Sequence, residues 1–307
     1  MKQTAFIFPG QGSQSVGMGK ELSENFRAAR EVFEEADDAL RFSISTLCFQ
    51  GPDDALKLTE NTQPAILTTS IAALRVLETE KGVRSILAAG HSLGEYSALV
   101  ASGALDFADA VRTVRLRGRF MQEAVPVGEG AMAAVLGMER EQVEKLCQEE
   151  ASGEVLSPAN FNCPGQIVIS GHAKAVDRAI ERIKKEGKKA VLLPVSAPFH
   201  SPLMEPAGVR LEEELEEISI HDLSVPVVTN VEAEPNTSKD RVKRLLVAQV
   251  SSPVRWEESM RRMAEKGIER MIEIGPGKVL SGLMKRIEPA VEIFNIEDVK
   301  TLKKLPD

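Results

Sequence analysis

The pentapeptide Gly90-His91-Ser92-Leu93-Gly94 sets one hydroxyl between two glycines, after the apolar run "SILAA" and before the alanine-rich "EYSALVASGAL". This G-x-S-x-G spacing lets a strand turn sharply into a helix with the middle side chain thrust outward, because residues without a Cβ allow neighbouring backbone to pass close on both sides. Two roles fit Ser92. It is either the capping serine of a tight turn, or a nucleophile whose developing oxyanion meets the Leu93 backbone N–H at the start of the helix.

A serine nucleophile needs a base, normally a histidine within hydrogen-bond reach. The chain offers four. His91 flanks the serine, so its side chain should leave the turn in another direction. His172 opens a helix and His221 lies in the polar turn "SIHDLS"; both read as surface residues. His200, in "SAPFHSPLM", lies between two candidate domains where a cleft would form, and is the candidate base; the alternative is a loop histidine bonded to backbone. The order departs from that of an α/β-hydrolase, in which an acid and then a histidine near the C-terminus follow the serine. No histidine follows His221, and no acid between Ser92 and His200 stands out as an orienting group.

Arg117 is the third chemical signal. In the helical stretch "ADAVRTVRLRGRFMQEA", Arg112, Arg115 and Arg119 share one face, whereas Arg117 has Ala110, Thr113, Val114, Phe120, Met121 and Ala124 for neighbours. A guanidinium on an apolar face is costly unless an acid meets it. Either an internal Asp or Glu pairs with Arg117, or it awaits an acidic ligand through its bidentate fork. Beside a serine built for acyl transfer, the second option implies an acyl group with a free carboxylate.

The elements that must hold these residues read as α/β. "TAFIF" (residues 4–8) is a short β-prone run, followed by a glycine-rich loop and by a helix over residues 21–40 with Leu22, Phe26, Ala29 and Phe33 on one face. Pro64 is placed in the first turn of a helix that continues through "AILTTSIAALRVLE", and "RSILAA" is the strand before Ser92. This alternation predicts a parallel sheet with helices on both faces, as in a large α/β-hydrolase-like domain. From about residue 128 the rhythm changes to βαββαβ, ending in the strand "KKAVLLPVS" (188–196), which is the order of a ferredoxin-like module. The expected organisation is a large catalytic domain of residues 1–127 and 198–307, with a small ferredoxin-like domain, 128–197, inserted in it. "DLSVPVVTNV", "MIEIG" and "VEIFNI" supply later strands, with helices around 242–250, 257–266 and 279–286.

Composition excludes several classes. With 307 residues, 43% of them hydrophobic, the chain can bury a substantial core. The start "MKQTAFIFPGQG" lacks the apolar run of a signal peptide or membrane span, so a cytoplasmic protein is expected. Cys48, Cys147 and Cys163 lack disulfide or zinc-ligand spacing and read as buried thiols; no metal is expected. A net charge of −8 disfavours nucleic acid and anionic membranes as partners, so an acidic partner would need a local basic patch such as "IKKEGKK" (183–189).

Eight further stretches fit together with these signals: "FIFPGQGSQ" (6–14), "NTQPAI" (61–66), "GHSLGEYSAL" (90–99), "VRLRGRFMQ" (114–122), "ANFNCPGQIVISG" (159–171), "VSAPFHSPLM" (195–204), "QVSSPVRW" (249–256) and "EIGPGKVL" (273–280). In this order, spread over nearly the whole chain, they resemble the motifs of the malonyl-CoA:acyl carrier protein transacylases and, more broadly, of the acyltransferase domains of fatty-acid and polyketide synthases. The resemblance implies transfer of a malonyl group from malonyl-CoA to the phosphopantetheine thiol of acyl carrier protein, by a ping-pong route through a malonyl-serine ester, in fatty-acid biosynthesis. Ser92 would be the nucleophile and His200 the general base and acid, oriented by the backbone carbonyl of Gln249 rather than by a carboxylate. Gln11 would add a second oxyanion N–H beside Leu93, Arg117 would clamp the malonyl carboxylate, and Gln63 would line the cleft. Phe199 matches the position where malonyl-selective members carry phenylalanine, whose ring would crowd an α-methyl branch. No cofactor is implied, malonyl-CoA being a substrate, and a monomer is expected. The acidic carrier protein would dock on Lys184, Lys185, Lys188 and Lys189. A serine hydrolase is disfavoured by the missing acid and by Arg117, and a noncatalytic scaffold by the intact Ser92, His200 and Arg117.

Overall fold

The computed structural model describes residues 2–195 and 197–306. The expected strand over 188–196 ends at Ser196, which lies outside the described residues, as do Met1 and Asp307 at the ends of the expected large domain. In chain order the first part runs β1 (Thr4–Phe8), α1 (Lys20–Asn25), α2 (Arg27–Leu40), α3 (Ile44–Gln50), α4 (Asp53–Lys57), α5 (Thr59–Lys81), β2 (Leu87–Gly90), α6 (Gly94–Ala101) and α7 (Phe107–Glu123). The middle contains β3 (Gly130–Leu136), α8 (Arg140–Ala151), β4 (Leu156–Cys163), β5 (Gln166–His172), α9 (Ala173–Lys185) and β6 (Lys189–Leu192). The last part contributes α10 (Glu205–Glu216), β7 (Val227–Val228), β8 (Pro235–Asn236), α11 (Val242–Ser251), α12 (Trp256–Glu265), β9 (Arg270–Ile274), α13 (Val279–Ile287), β10 (Glu292–Ile296) and α14 (Val299–Lys304).

Every residue of β1 is buried because the strand runs inside a sheet covered on both faces. The sheet order is β10-β9-β1-β2-β7-β8, parallel except for the β7–β8 pair. Side chains alternate across it. Phe6 and Phe8 join Ala88, Ile272 and Ile274 in the larger core under α2, α5, α6 and α7. Ala5 and Ile7 face the other way, into a cluster with Leu87, Met271 and the Trp256, Met260 and Met284 side chains of α12 and α13. Each fully buried Ile or Phe contributes roughly 1.5–3 kcal/mol relative to exposure.

The second sheet is antiparallel, in the order β4-β5-β3-β6, with α8 and α9 on one face: the ferredoxin-like arrangement expected from the βαββαβ pattern. Its β4 also ties it to the large sheet's side of the molecule. Phe161 N–H donates to Val254 O at 2.9 Å and Val254 N–H to Ala159 O at 2.8 Å. No helix among the described residues is long and apolar enough to cross a membrane.

Three local expectations change. The helix expected over 21–40 is two helices, because Phe26 takes extended backbone (φ −127°, ψ 126°) between α1 and α2. Pro64 lies not in the first turn but at the sixth residue of α5, where it lacks the N–H that would return to the Glu60 carbonyl. The strand candidate "DLSVPVVTNV" narrows to the two residues of β7, since Thr229 N–H turns to Glu234 O at 3.1 Å.

Helices α5 and α7 approach closely at Gly118. An ideal Cβ there would lie 2.6 Å from Thr59 O and 2.8 Å from Glu60 Cα. Gly118→Ala is expected to force the two helices apart at a cost of about 1–3 kcal/mol, outweighing the roughly 1 kcal/mol of helix propensity that alanine adds. Thermal unfolding should register a melting temperature lower by a few degrees; an unchanged or higher value would show that the helices can yield without strain.

Candidate active site

β1 and β2 pair in parallel with Phe8 beside Gly90, so the loops that follow them leave the sheet at the same edge. Gln11 and Leu93 each lie three residues past those ends, and both line one cavity. Among the described residues neither backbone N–H donates to a protein acceptor. Between them, Ser92 has φ 51°, in the left-handed region that a serine seldom adopts. The flanking glycines allow it: a Cβ on Gly90 would lie 1.9 Å from the Gly94 carbonyl carbon, and one on Gly94 would lie 2.1 Å from Phe8 O. Asn230 fastens the turn, accepting the Ser92 N–H on Oδ1 at 2.6 Å and donating from Nδ2 to Gly90 O at 2.7 Å.

Ser92 Oγ lies 2.7 Å from His200 Nε2. The other ring nitrogen, Nδ1, is 2.9 Å from Gln249 O and 3.2 Å from Ser252 O. A carbonyl can only accept, so Nδ1 carries the hydrogen and Nε2 is left with a lone pair to accept the serine hydroxyl. Burial and then the nearby Arg117 charge push the His200 pKa down to about 3, although the two backbone carbonyls favour the charged ring. The imidazole therefore rests neutral.

Arg117 is 1% exposed, and burial lowers its pKa. Its Nη1 donates to Gln63 Oε1 at 2.8 Å; its Nη2 donates to Gln249 Oε1 at 2.9 Å and to Ser92 Oγ at 3.1 Å. Its Nε has no partner among the described residues, and the guanidinium carbon sits 5.6 Å from the Tyr96 ring centroid. No described carboxylate lies within ion-pair distance of it, so three neutral acceptors meet the charge where an internal acid was one of two expectations.

These groups border a cavity of about 110 Å³ between the two sheets. Gln11, Gln63, Ser92, Arg117 and His200 form its polar side; Met121, Met132, Leu193, Val195 and Phe199 form its apolar side. A larger, open depression of about 510 Å³ lies on the outer face of α7, around Asp38, Arg41, Arg112 and Arg115, away from Ser92. Of the remaining histidines, His91 borders the same cavity, and none bonds to Ser92 Oγ among the described residues. His91 leaves the turn toward Asn162 Oδ1 (2.9 Å) and Trp256; His172 is half-buried, its Nδ1 accepting the Val155 N–H; His221 pairs with Asp106 at the surface.

A family model described as the acyl transferase domain matches residues 5–303. The chain belongs to this acyl transferase family. The acyltransferase is 52% identical over 305 residues to the malonyl CoA-acyl carrier protein transacylase of Bacillus subtilis (strain 168), covering 99% of this chain and 96% of the relative. It is 50% identical over 288 residues to the protein of the same name from Escherichia coli (strain K12), covering 94% and 93%. Its fold superposes on a crystal structure of an acyl carrier protein S-malonyltransferase from Vibrio cholerae with a TM-score of 0.96, at 45% identity and over 98% and 99% of the two chains. A malonyl-transacylase solved in complex with its type II PKS acyl-carrier protein gives 0.95, at 44% identity over 98% of each chain.

Sequence reasoning missed three contributors. Glu95 is buried in the first turn of α6, accepting from Asn230 N–H at 3.0 Å and from Gln249 Nε2 at 2.7 Å. Its signal was present: one acid in the otherwise uncharged run "GEYSALVASGAL". Asn230 and Asn162 carried no such signal, because a single uncharged asparagine in or beside a strand is not set apart by residue type.

In this acyltransferase both burial and the Arg117 cation oppose protonation of His200. Its ring nitrogens should keep neutral-form ¹⁵N shifts down to about pH 4, far below the ordinary histidine midpoint near 6.5. Arg117→Ala removes a cation and should move the midpoint upward. A midpoint near 6.5 in the unsubstituted protein, unmoved by Arg117→Ala, would contradict this electrostatic account.

Proposed function

We propose that this acyltransferase transfers a malonyl group from malonyl-CoA to the phosphopantetheine thiol of acyl carrier protein, through a malonyl-serine ester, in fatty-acid biosynthesis. The observation that carries the reading is the Arg117 guanidinium, buried with no described carboxylate at ion-pair distance and bonded to the Ser92 oxygen. A cation so held is complementary to an acyl group bearing its own carboxylate. Relatives at 50–52% identity that bear the name malonyl CoA-acyl carrier protein transacylase support the same substrate.

In this reading Arg117 takes the malonyl carboxylate and Ser92 Oγ attacks the thioester carbon as its proton passes to His200 Nε2. The Gln11 and Leu93 N–H groups, without an acceptor among the described residues, receive the oxyanion. The carbon–sulfur bond breaks, CoA leaves with the proton from His200, and the malonyl-serine ester remains. The pantetheine thiol then gives its proton to His200 and attacks the ester, and Ser92 recovers the proton. Gln249 O holds the imidazole throughout, and Gln63 Oε1 steadies Arg117 by accepting from its Nη1. Phe199, nearly buried at the cavity wall, restricts space beside the malonyl α-carbon.

Residues 128–197 act in this reading as the small domain that closes one side of the cleft, against a large domain of residues 1–127 and 198–307. Lys184, Lys185, Lys188 and Lys189 are exposed at the end of α9 and the start of β6, and that strand leads directly to Leu193 and Val195 in the cavity wall. They form the docking surface for the acidic carrier protein. The protein works as a cytoplasmic monomer, apart from nucleic acid and membrane, in keeping with its net charge of −8.

Intact-protein mass spectrometry with malonyl-CoA tests the cycle. One malonyl adduct is expected on the unsubstituted protein and none on Ser92→Ala, with discharge onto added acyl carrier protein; free malonate without transfer would point to a hydrolase. Arg117→Ala should lower kcat/KM for malonyl-CoA about 100-fold or more, as when a partner of a buried charged hydrogen bond is removed. Reversing the charge of the four lysines should raise KM for the carrier protein and leave adduct formation from malonyl-CoA intact. An unchanged carrier KM would assign docking to another surface.

A further inference from the structure

Among the described residues Glu95 is the one carboxylate hydrogen-bonded into the polar network beneath Ser92, and no step of the proposed reaction uses it. It is 2% exposed. Burial raises its pKa to about 7, against the opposing pull of the Asn230 and Gln249 hydrogen bonds and the Arg117 charge. Its Oε2 accepts two donors: the Asn230 N–H at 3.0 Å and Gln249 Nε2 at 2.7 Å.

The second of these bonds decides how the Gln249 amide points. Gln249 Nε2 also donates to Ser92 O at 3.1 Å, and Gln249 Oε1 accepts from Arg117 Nη2 at 2.9 Å. This is the only one of the two amide orientations that satisfies all three contacts. Turned over, the NH₂ group would face the guanidinium, and the amide oxygen would face the Ser92 carbonyl and the Glu95 carboxyl oxygen. Glu95 and Ser92 O together hold the amide right way round. Gln249 lies on α11, Arg117 on α7 and Glu95 on α6, so the relay also joins three helices.

We propose that Glu95 is a positioning residue for the reaction assigned above: by fixing the Gln249 side-chain amide it holds Arg117 where an incoming acyl carboxylate must meet it. The proposal rests on that reading for its substrate, but the positioning itself is visible without turnover. Glu95 supplies an acceptor, so Glu95→Gln, which can present an amide oxygen to the same two donors, should preserve it, and Glu95→Ala should not.

Kinetics with malonyl-CoA separate positioning from mere support. Glu95→Ala is expected to raise KM about tenfold with kcat changed by less than about threefold, while Glu95→Gln stays within about twofold in both. A purely structural residue would lower kcat through loss of active protein and leave KM alone, and that result would overturn the proposal. A KM raised equally by Glu95→Gln would also overturn it, because charge and not acceptor geometry would then matter. Should Glu95→Ala fail to fold, Gln249→Met removes the amide relay but keeps the carbonyl that orients His200; it should give the same rise in KM, and an unchanged KM would count against the relay. Crystal structures of the Glu95 variants give a readout independent of turnover. The Arg117–Gln249 bond should be lost in Glu95→Ala and kept in Glu95→Gln, and its persistence in the alanine variant would refute the positioning. If the unsubstituted protein neither turns over malonyl-CoA nor forms its adduct, the substrate assignment falls while the structures still judge Glu95.

Discussion

A guanidinium buried beside Ser92, with no carboxylate among the described residues at ion-pair distance, is the constraint around which the rest of the site is arranged. Desolvation makes such a charge expensive, and an ion pair would be the usual answer. Here the acceptors are neutral: Gln63 Oε1, Gln249 Oε1 and Ser92 Oγ. An internal carboxylate in direct contact would satisfy Arg117 and leave it little reason to bind a second one. Neutral acceptors keep it oriented without neutralising its charge. The same charge falls on His200, where it adds to burial in keeping the imidazole neutral. A single cation thus bears on the cavity beside Ser92 and on the charge state of the imidazole.

The fold brings this about by joining elements that are far apart in the chain. Ser92 leaves the end of β2, and Gln11 leaves the parallel neighbour β1, so register brings Gln11 and Leu93 to one cavity. Gln63 and Arg117 come from α5 and α7, whose close approach depends on Gly118. His200 follows the small domain, and the carbonyl of α11 that holds it is 49 residues further on. β4 bonds to the loop before α12 and carries Asn160 and Asn162 to the cavity's rim and to His91. None of these supports is a local structure. Each is a contact between separately formed elements, which explains why an orienting carbonyl can replace an orienting acid: a carbonyl held in a packed helix is as fixed as a carboxylate and needs no charge to be buried.

The parts of the fold that the sequence made legible are those set by local periodicity. The β-prone run "TAFIF", the helical faces and the βαββαβ order correspond to β1, the long helices and the antiparallel sheet, because a strand buried on both faces reads as a continuous apolar run and a helix packed on one face imposes a repeat of 3.6 residues. Boundaries were less legible. Phe26 breaks a helix within an unbroken helical pattern, and Pro64 sits deeper in α5 than proline's preference for the first turn suggests, since tertiary contacts override local preference at both places.

Within the site, the sequence by itself determined which chemical groups are available and which are in the wrong setting. Ser92 between two glycines, Arg117 on an apolar face and the lack of a candidate orienting acid are properties of neighbouring residue types. Glu95 belonged to the same class, a lone charge in an uncharged helix. Tertiary structure alone decided which groups meet: that His200 reaches Ser92 Oγ at 2.7 Å, that Gln249 meets His200, Arg117, Ser92 and Glu95 through its carbonyl and its two amide atoms, and that Asn230 fastens the turn. The reason is geometric. A side chain's type and local periodicity are written at its own position, whereas a hydrogen bond across 49 or 138 residues of chain is fixed by how whole elements pack.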